Sequence, residues 1–281
     1  MSVYQQYCGE YIMHNCKVLL IGGHVRSGTT LLWRVCNSHP DIRLTYEFNN
    51  FSAIGVNSTE HTRRVFRRMQ LKGLFSYNFL DTRKKLNLLN NMKKTINNNI
   101  FILKYLYYIN RAKKVVRLDD VGLGLRRIFS DKIIVGDKYP HYVFLLDRFI
   151  QQENLLILII YRDCRDVVSS TLKNVRTIWK NQKWIHEYDT AEKISKKWIE
   201  SVKIMESHKE KIHLVKYENL ITDTENEIES IGTYLGLQFP ETYKVQIRND
   251  RSGNYMNYLT DDEIKSIMNV AGPDLSRLGY L

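Results

Sequence analysis

The sequence predicts an α/β fold in three layers, with a central parallel sheet and helices on both faces. Continuous apolar runs, typical of buried parallel strands, recur along the 281-residue chain and are each followed by helix-compatible sequence. Charged and hydroxyl residues come directly after these runs, at the strand ends where open α/β sheets bind ligands. Because no Pro-rich or Ser-rich linker interrupts the chain, we expect a single domain over residues 1–281.

The apolar runs give the positions of the predicted elements. Strands are expected near residues 17–22, 132–136, 155–161 and 211–216. Helices are expected near residues 61–70, 83–112, 190–208 and 222–235, together with a helix after residue 162 and one near the C-terminus. The short segment DIRLTYE, which leads to Glu47, is assigned neither to a helix nor to a strand.

A glycine-rich turn follows the first predicted strand and has the spacing of a phosphate-binding loop. Gly23 and Gly28 stand five apart, as in G-x-x-x-x-G-K-[ST]. Thr29 takes the place of the usual Lys, Thr30 follows it, and the only full cation in the turn is Arg26. Since an ATP or GTP enzyme uses that Lys beside Mg²⁺, the turn favours a shorter 5'-anion held without a metal. The alternative is a plain turn between a strand and a helix.

A second pair of candidate anion ligands follows the apolar run at 155–161. Arg162 comes at the strand end, and Ser170 lies eight residues later, about two helical turns into the next element. Both side chains can reach one phosphate only if the chain folds back as a helix. The alternative is that Arg162 forms an i,i+4 salt bridge with Asp166.

The segment RSGTTLL at 26–32, followed by NSHPDI, resembles the 5'-phosphosulfate loop of the sulfotransferases. The style of the motifs is closest to the tyrosylprotein and carbohydrate-type members. The resemblance implies the P-loop-like sulfotransferase fold and transfer of a sulfuryl group from 3'-phosphoadenosine 5'-phosphosulfate (PAPS) to an acceptor hydroxyl, with 3'-phosphoadenosine 5'-phosphate (PAP) as product. Val25 departs from the family, which commonly has Pro at this position.

The resemblance implies a set of nucleotide-binding residues. The loop residues would hold the 5'-phosphosulfate, and Arg162 with Ser170 would hold the 3'-phosphate. The segment IHLVKYENL resembles a family strand end that carries a Tyr near the nucleotide, and IRNDRSGNY resembles the family's nucleotide-covering loop. The full set is Arg26, Ser27, Gly28, Thr29, Thr30, Arg162, Ser170, Tyr217, Arg251, Ser252 and Gly253.

Sulfuryl transfer needs cations beside the leaving phosphate and a base for the acceptor proton. Arg26 is the first expected cation. Lys138, in the segment GDKYPHY, is the second, because many sulfotransferases carry a Lys in this context. Glu47 lies 21 residues after Arg26, which resembles the position of the family's catalytic Glu, and is the expected base. His141 is the competing base; it follows Pro140, whereas the corresponding His of small-molecule enzymes precedes a Pro.

The cysteine positions and the hydropathy of the chain count against several classes of protein. The four Cys at positions 8, 16, 36 and 164 form no C-x-x-C pair and no zinc spacing, so neither a disulfide scaffold nor a metal site is expected. The apolar runs are shorter than ten residues, and the N-terminus lacks signal character. The sequence therefore predicts a cytoplasmic protein without a membrane anchor.

The net charge of +12 is concentrated in one part of the chain. Between His61 and Arg117 there are fifteen Lys and Arg against one acid, Asp81. In sulfotransferases this region accommodates acceptor-binding insertions, so residues around 57–117 are expected to form a basic helical insertion that attracts an acidic glycan, peptide or small molecule. The alternative is a solvated helical face with its aromatic residues packed inward.

Two other function classes fit part of the sequence. A P-loop nucleotide kinase or related NTPase would share the fold, but it needs a Lys in the loop and a carboxylate for Mg²⁺, for which Asp163 is the available strand-end acid. A non-catalytic nucleic-acid-binding protein would explain the basic segment. It leaves both phosphate signatures unexplained, so no nucleic-acid partner is expected. The acceptor and the oligomeric state are not encoded in any motif.

Overall fold

The computed structural model describes residues 17–71, 78–81, 88–111, 115–152, 155–240 and 252–281. Within these residues five strands form one parallel sheet in the order β2, β3, β1, β4, β5. The strands are β1 (Lys17–Gly22), β2 (Ile42–Tyr46), β3 (Ile134–Lys138), β4 (Leu155–Tyr161) and β5 (His213–Lys216). The predicted α/β fold class with a central parallel sheet is confirmed.

The predicted bounds of β1 and β4 match the structure, because both strands are continuous apolar runs. The prediction for β3 was two residues early, since the strand extends through Asp137 and Lys138. The fifth strand begins two residues later than predicted. The sequence prediction missed β2, which pairs in parallel with β3 from Ile42 opposite Ile134 to Tyr46 opposite Lys138.

Helices follow most strands, as the fold class requires. They are α1 (Thr29–Ser38), α2 (Ser58–Leu71), α3 (Leu88–Asn110), α4 (Leu118–Ile128), α5 (Leu146–Phe149), α6 (Cys164–Arg176), α7 (Ala191–Ser207), α8 (Tyr217–Thr222), α9 (Thr224–Leu235) and α10 (Asp261–Arg277). The predicted helices at 61–70, 190–208 and 222–235 are present as α2, α7 and α9. The prediction at 83–112 corresponds to α3, and its remaining residues, except Arg111, lie outside the described part of the chain.

The described chain divides into two compact units. The first unit takes its described residues from 1–20, 33–139 and 151–156, and the second from 21–32, 140–150 and 157–281. The prediction of one domain, with a basic insertion around 57–117, stays a prediction. Among the described helices, none is both long and apolar enough to cross a membrane.

The core of the first unit contains an aromatic cluster. The ring of Phe48 lies 4.8 Å from that of Phe79, 5.1 Å from that of Phe101 and 4.8 Å from that of Tyr105, measured between centroids and close to edge-on. Edge-to-face pairs of this kind stabilise a core beyond their buried area. They fix the chain directly after β2, which is where Glu47 lies.

Candidate functional site

The glycine-rich loop of the second unit joins β1 to α1, and both of its predicted glycines are sterically required. Gly23 has φ +146°, and a Cβ there would lie 2.2 Å from the carbonyl oxygen of Ile160. Gly28 has φ +102°, and a Cβ would lie 2.4 Å from the ring of Tyr217. Residues other than glycine rarely adopt either of these backbone conformations. The loop therefore packs against β4 and Tyr217 with no room for another residue type.

The predicted ligands of the loop lie at the start of α1, which begins at Thr29. The N–H groups of a first helical turn point out of the helix, and together with the helix dipole they favour an anion. Arg26 is exposed and has a left-handed backbone, with φ +71°. Ser27 is fully buried, and its Oγ has no hydrogen-bond partner among the described residues, so its hydroxyl points away from solvent.

The loop and the second predicted signature meet. Arg26 Nε donates a hydrogen bond to Ser170 Oγ at 2.9 Å, across 144 residues of sequence. Ser170 reaches this position because α6 begins at Cys164, directly after the end of β4. The structure thus brings together two of the residues that the sequence assigned to opposite ends of one nucleotide.

Arg162 lies buried between an aromatic ring and a carboxylate. Its guanidinium carbon lies 4.3 Å from the centroid of the Tyr217 ring, which is the geometry of a cation–π contact. Its Nη2 donates to Asp166 Oδ2 at 3.0 Å. The i,i+4 salt bridge that the sequence left open as an alternative is therefore formed, and it occupies the same arginine that was predicted to bind the 3'-phosphate.

Asp166 is a site residue to which the sequence assigned no role of its own. Its carboxylate accepts from Arg162, from the backbone N–H of Gly253 at 2.9 Å and from that of Tyr255 at 3.2 Å. These bonds tie the predicted nucleotide-covering loop to α6. Ser252 is exposed beside Gly253, and Arg251 lies outside the described residues. A local motif could not reveal Asp166, because two of its partners lie 87 and 89 residues away.

The carboxylate that a Mg²⁺-dependent enzyme would need is engaged in a different contact. Asp163 caps α6 by accepting from the backbone N–H of Arg165 at 2.8 Å, and it pairs with the guanidinium of Arg165 at 2.6 Å. The hydrogen bond that the Arg165 guanidinium donates to Asp163 raises the pKa of Arg165 above its ordinary value. Within the described ranges, no three His, Cys, Asp or Glu side chains come together as a potential metal-binding group.

In the first unit, the predicted base and the second predicted cation form an ion pair. Lys138 Nζ donates to Glu47 Oε1 at 3.0 Å, although the Lys138 side chain is 0% exposed. The ammonium also lies 3.8 Å from the centroid of the Tyr46 ring. Glu47 has a left-handed backbone, with φ +52°, a strained conformation that often occurs at functional sites. Lys138 is therefore held between an aromatic ring and a carboxylate, as Arg162 is.

The strained turn at Glu47 is held by Asp137, which the sequence prediction also missed. The buried Asp137 carboxylate accepts from Thr45 Oγ1 at 2.6 Å and from the backbone N–H groups of Phe48 at 3.1 Å and Asn49 at 2.8 Å. The backbone N–H of Glu47 donates to the carbonyl of Lys138 at 2.7 Å. The adjacent residues Asp137 and Lys138 thus act on the same turn, one on its backbone and one on its side chain.

Two histidines of the second unit differ in environment. His141, the competing base, is partly exposed, and its ring lies 5.8 Å from that of Phe144. His24 is buried; its Nδ1 lies 2.8 Å from the Val25 carbonyl oxygen, and its Nε2 has no partner among the described residues. Burial lowers the pKa of His24 to about 4, so this ring is neutral at neutral pH.

Known proteins resemble this chain in sequence and in fold. The model of the sulfotransferase family matches residues 19–241. Among solved structures, the sulfotransferase domain of an olefin synthase from Synechococcus PCC 7002 is similar, with 16% identity, a TM-score of 0.58, and coverage of 92% of this chain and 94% of that one. A mouse sulfotransferase, SULT7A1, solved in complex with PAP, has 12% identity and a TM-score of 0.51 over 93% of this chain and 84% of that one.

A sulfotransferase from Mycobacterium avium has 13% identity and a TM-score of 0.51, covering 99% of this chain and 81% of the other. At these identities the likeness to solved structures establishes the fold. Among curated proteins, none matches the chain in sequence.

Proposed function

The chain belongs to the sulfotransferase family, and from this premise we propose that it transfers the sulfuryl group of PAPS to an acceptor hydroxyl, releasing PAP. The observation that carries the proposal is the hydrogen bond between Arg26 and Ser170. It joins a loop suited to a 5'-anion with a strand end suited to a second phosphate. A nucleotide with phosphate groups on both its 5' and 3' positions fits this pair of signatures, and ATP lacks the second group.

The second unit supplies the proposed donor site. The N–H groups at the start of α1 would bind the 5'-phosphosulfate, with hydroxyl groups from Thr29 and Thr30 and charge from Arg26. The 3'-phosphate would bind Arg162 and Ser170. Arg162 is already oriented by Asp166 and Tyr217, so its binding geometry exists before the ligand arrives. Preorganisation of this kind increases affinity because less ordering is required on binding.

The first unit supplies the proposed base. Glu47 takes the proton of the acceptor hydroxyl while the acceptor oxygen forms a bond to sulfur and the bond from sulfur to the bridging phosphate oxygen breaks. The electron pair of the broken bond stays on PAP, where Arg26 stabilises the added negative charge. In the first unit, Lys138 is the second proposed cation, and it fixes the direction of Glu47 through their 3.0 Å contact. His141 is the alternative base.

A residue type and a set of contacts count against a kinase or NTPase. The loop has Thr29 where these enzymes have Lys. The strand-end carboxylate of Asp163 is bound to Arg165 and to the start of α6. The acceptor is proposed to be acidic because of the basic segment between His61 and Arg117, whose sequence carries fourteen more positive than negative charges. Location in the cytoplasm, independence from metals and the absence of a nucleic-acid partner stay predictions.

The donor site is tested by calorimetric titration of the full chain with PAP, and separately with ATP and Mg²⁺. We expect micromolar or tighter binding of PAP without metal, and much weaker binding of ATP. Ser170→Ala should weaken PAP binding by about tenfold, the value of one charge-assisted hydrogen bond. Ser207→Ala, which removes an exposed serine of α7, is the matched control. A preference for ATP with Mg²⁺ would overturn the proposal.

The base is tested by the transfer of labelled sulfuryl from PAPS to a panel of glycan, tyrosine-peptide and small-molecule acceptors. Glu47→Gln should leave PAP affinity nearly unchanged and reduce turnover by roughly 10²-fold or more. His141→Asn should leave most of the turnover. If His141→Asn is inactive and Glu47→Gln is fully active, the role of base passes to His141.

A further inference from the structure

The solvent-facing side of α3 in the first unit is apolar over its whole length. Six of its side chains are between 46% and 76% exposed: Leu89, Met92, Ile96, Ile100, Leu103 and Tyr107. Successive members are three or four residues apart, and the set spans 18 residues, which is five turns of a straight α-helix. These six residues, here called the α3 stripe, therefore form one continuous line along the helix.

The opposite side of the same helix is the packed side. It buries Asn98, Phe101, Ile102, Tyr105 and Ile109. A surface helix of a globular protein normally has one apolar face and one polar face, and a helix that is apolar on both sides is normally covered on both. The exposed apolar stripe is therefore a surface that fits a partner.

The charges beside the stripe are all positive. Lys93, Lys104 and Arg111 are exposed, and their spacings of 11 and 7 residues place them in one row along one edge of the stripe. Arg111 extends this row past the end of α3 and lies 5.3 Å from the centroid of the Tyr107 ring. The sequence from residue 88 to residue 111 contains no Asp or Glu.

Two partners fit an apolar stripe: a second copy of the chain and a lipid surface. An antiparallel pair of α3 helices from two copies would bring the two rows of cations together along one edge, where like charges repel. An anionic bilayer surface instead accepts the apolar side chains below its headgroups and attracts the cations.

We propose that the α3 stripe docks the protein on an anionic membrane surface, with α3 lying in the plane of the interface. The apolar side chains of the stripe enter the boundary between headgroups and acyl chains. Lys93, Lys104 and Arg111 contact lipid phosphates along one edge. The helix α3 lies within the basic segment to which the proposed function assigns attraction of an acidic acceptor. The docking proposal is separate, because it rests on the exposed apolar stripe and the cations at its edge and not on a PAPS site.

The test is cosedimentation of the full chain with vesicles made of equal parts phosphatidylcholine and phosphatidylglycerol. We expect binding that is weaker on phosphatidylcholine alone and that decreases with added salt. The triple variant Leu89→Gln, Ile96→Gln, Leu103→Gln should bind at least about tenfold more weakly, because it removes half of the buried apolar side chains. Ile178→Gln, at a position that is 76% exposed outside α3, is the matched control and should bind like the unaltered chain.

The contribution of the cations to vesicle binding is tested with the double variant Lys93→Gln, Lys104→Gln. It should bind the anionic vesicles roughly tenfold or more weakly than the unaltered chain. The control is the double variant Lys203→Gln, Lys209→Gln, which removes two exposed charges outside α3 and should have little effect on vesicle binding. An unchanged thermal unfolding midpoint verifies that each variant is folded. Equal vesicle binding by the stripe variant and its control would overturn the proposal. A dimer in sedimentation velocity that the stripe variant makes monomeric, without vesicle binding by either, would assign the stripe to a second copy instead.

Discussion

At the scale of single residues, the candidate site consists of cations that already have partners within the protein. Arg26 contacts Ser170, Arg162 contacts Asp166, and Lys138 contacts Glu47. A buried cation without a partner would be costly, so the contacts of the buried Arg162 and Lys138 stabilise the protein and hold these two side chains in place. The effect of a substitution therefore includes the fate of the partner that is left behind.

Asp166→Asn is expected to destabilise the protein by about 3 kcal/mol or more, because it leaves the buried Arg162 without its counter-charge. The control has the same i,i+4 spacing in a solvent-exposed setting: Lys196 donates to Glu192, and both side chains are more than half exposed. Glu192→Gln should change stability by less than about 0.5 kcal/mol. Urea unfolding midpoints measure both. Equal effects of the two substitutions would show that the Arg162 pair carries no special weight.

His24 is expected to make folding stability depend on pH. Burial lowers its pKa from 6.5 to about 4, so the unfolded chain takes up a proton at a higher pH than the folded chain does. Stability is therefore unaffected above about pH 6.5 and falls as the pH decreases from there toward 4. Between about pH 7 and pH 5, the unaltered chain should lose about 2 kcal/mol more than His24→Asn, whose amide can still donate to the Val25 carbonyl.

Urea unfolding at several pH values measures this difference. His61 and His213 also have pKa values lowered by burial. Because both histidines remain in the variant and in the unaltered chain, their contributions cancel when the two stability curves are compared. Parallel stability curves for His24→Asn and the unaltered chain would contradict the prediction.

At the scale of elements, the loop between β1 and α1 depends on the absence of a side chain at Gly28. Gly28→Ala should destabilise the protein by about 1–3 kcal/mol, because its Cβ would overlap the Tyr217 ring and its φ of +102° is strained for alanine. We also expect PAP binding to be lost. Gly124→Ala in α4 is the control: its Cβ would meet side-chain atoms of Tyr105 and Tyr108 at ordinary contact distances of 3.7 to 3.9 Å, and stability should rise by about 0.5–1 kcal/mol. Thermal unfolding distinguishes the two, and retained PAP binding by Gly28→Ala would contradict this account of the loop.

The elements differ in how far the sequence could predict them. β1 and β4 are unbroken apolar runs, which leave no ambiguity between a strand and an exposed loop. In β2, by contrast, IRLTY is only five residues long and mixes polar with apolar side chains, so its identity comes from pairing with β3. Ligand positions at strand ends could be predicted because the fold class places them there.

The supporting carboxylates could not be predicted in the same way. Asp137 and Asp166 each accept from backbone N–H groups that lie 87 to 89 residues away, and a backbone donor carries no signature in the sequence. For the same reason the sequence placed Arg26 and Ser170 on one ligand but did not predict that they contact each other directly. Local patterns predict which residues face a ligand, whereas tertiary structure decides what orients them.

At the scale of the whole molecule, the fold says less about the reaction than the residues of the site do. The solved sulfotransferase structures share a fold with this chain at 12% to 16% identity. Many functions can be built on one fold, and the residues of the site decide among them. The proposed 3'-phosphate contact is the feature that would best separate a PAPS enzyme from other phosphate-binding α/β proteins.

Discrimination between PAP and adenosine 5'-monophosphate isolates that contact, because the two nucleotides differ only in the 3'-phosphate. Ligand binding stabilises the whole fold by RT ln(1 + [L]/Kd), so thermal unfolding with each nucleotide gives the ratio of affinities. We expect the unaltered chain to prefer PAP by roughly 10-fold to 100-fold, the value of one charged hydrogen bond or more, and Arg162→Ala to lose most of that preference. The ratio is taken within each variant, so any general destabilisation from the unpaired Asp166 cancels. Arg127→Ala, an exposed arginine of α4, should keep the full preference. If Arg162→Ala also keeps it, the 3'-phosphate is bound elsewhere.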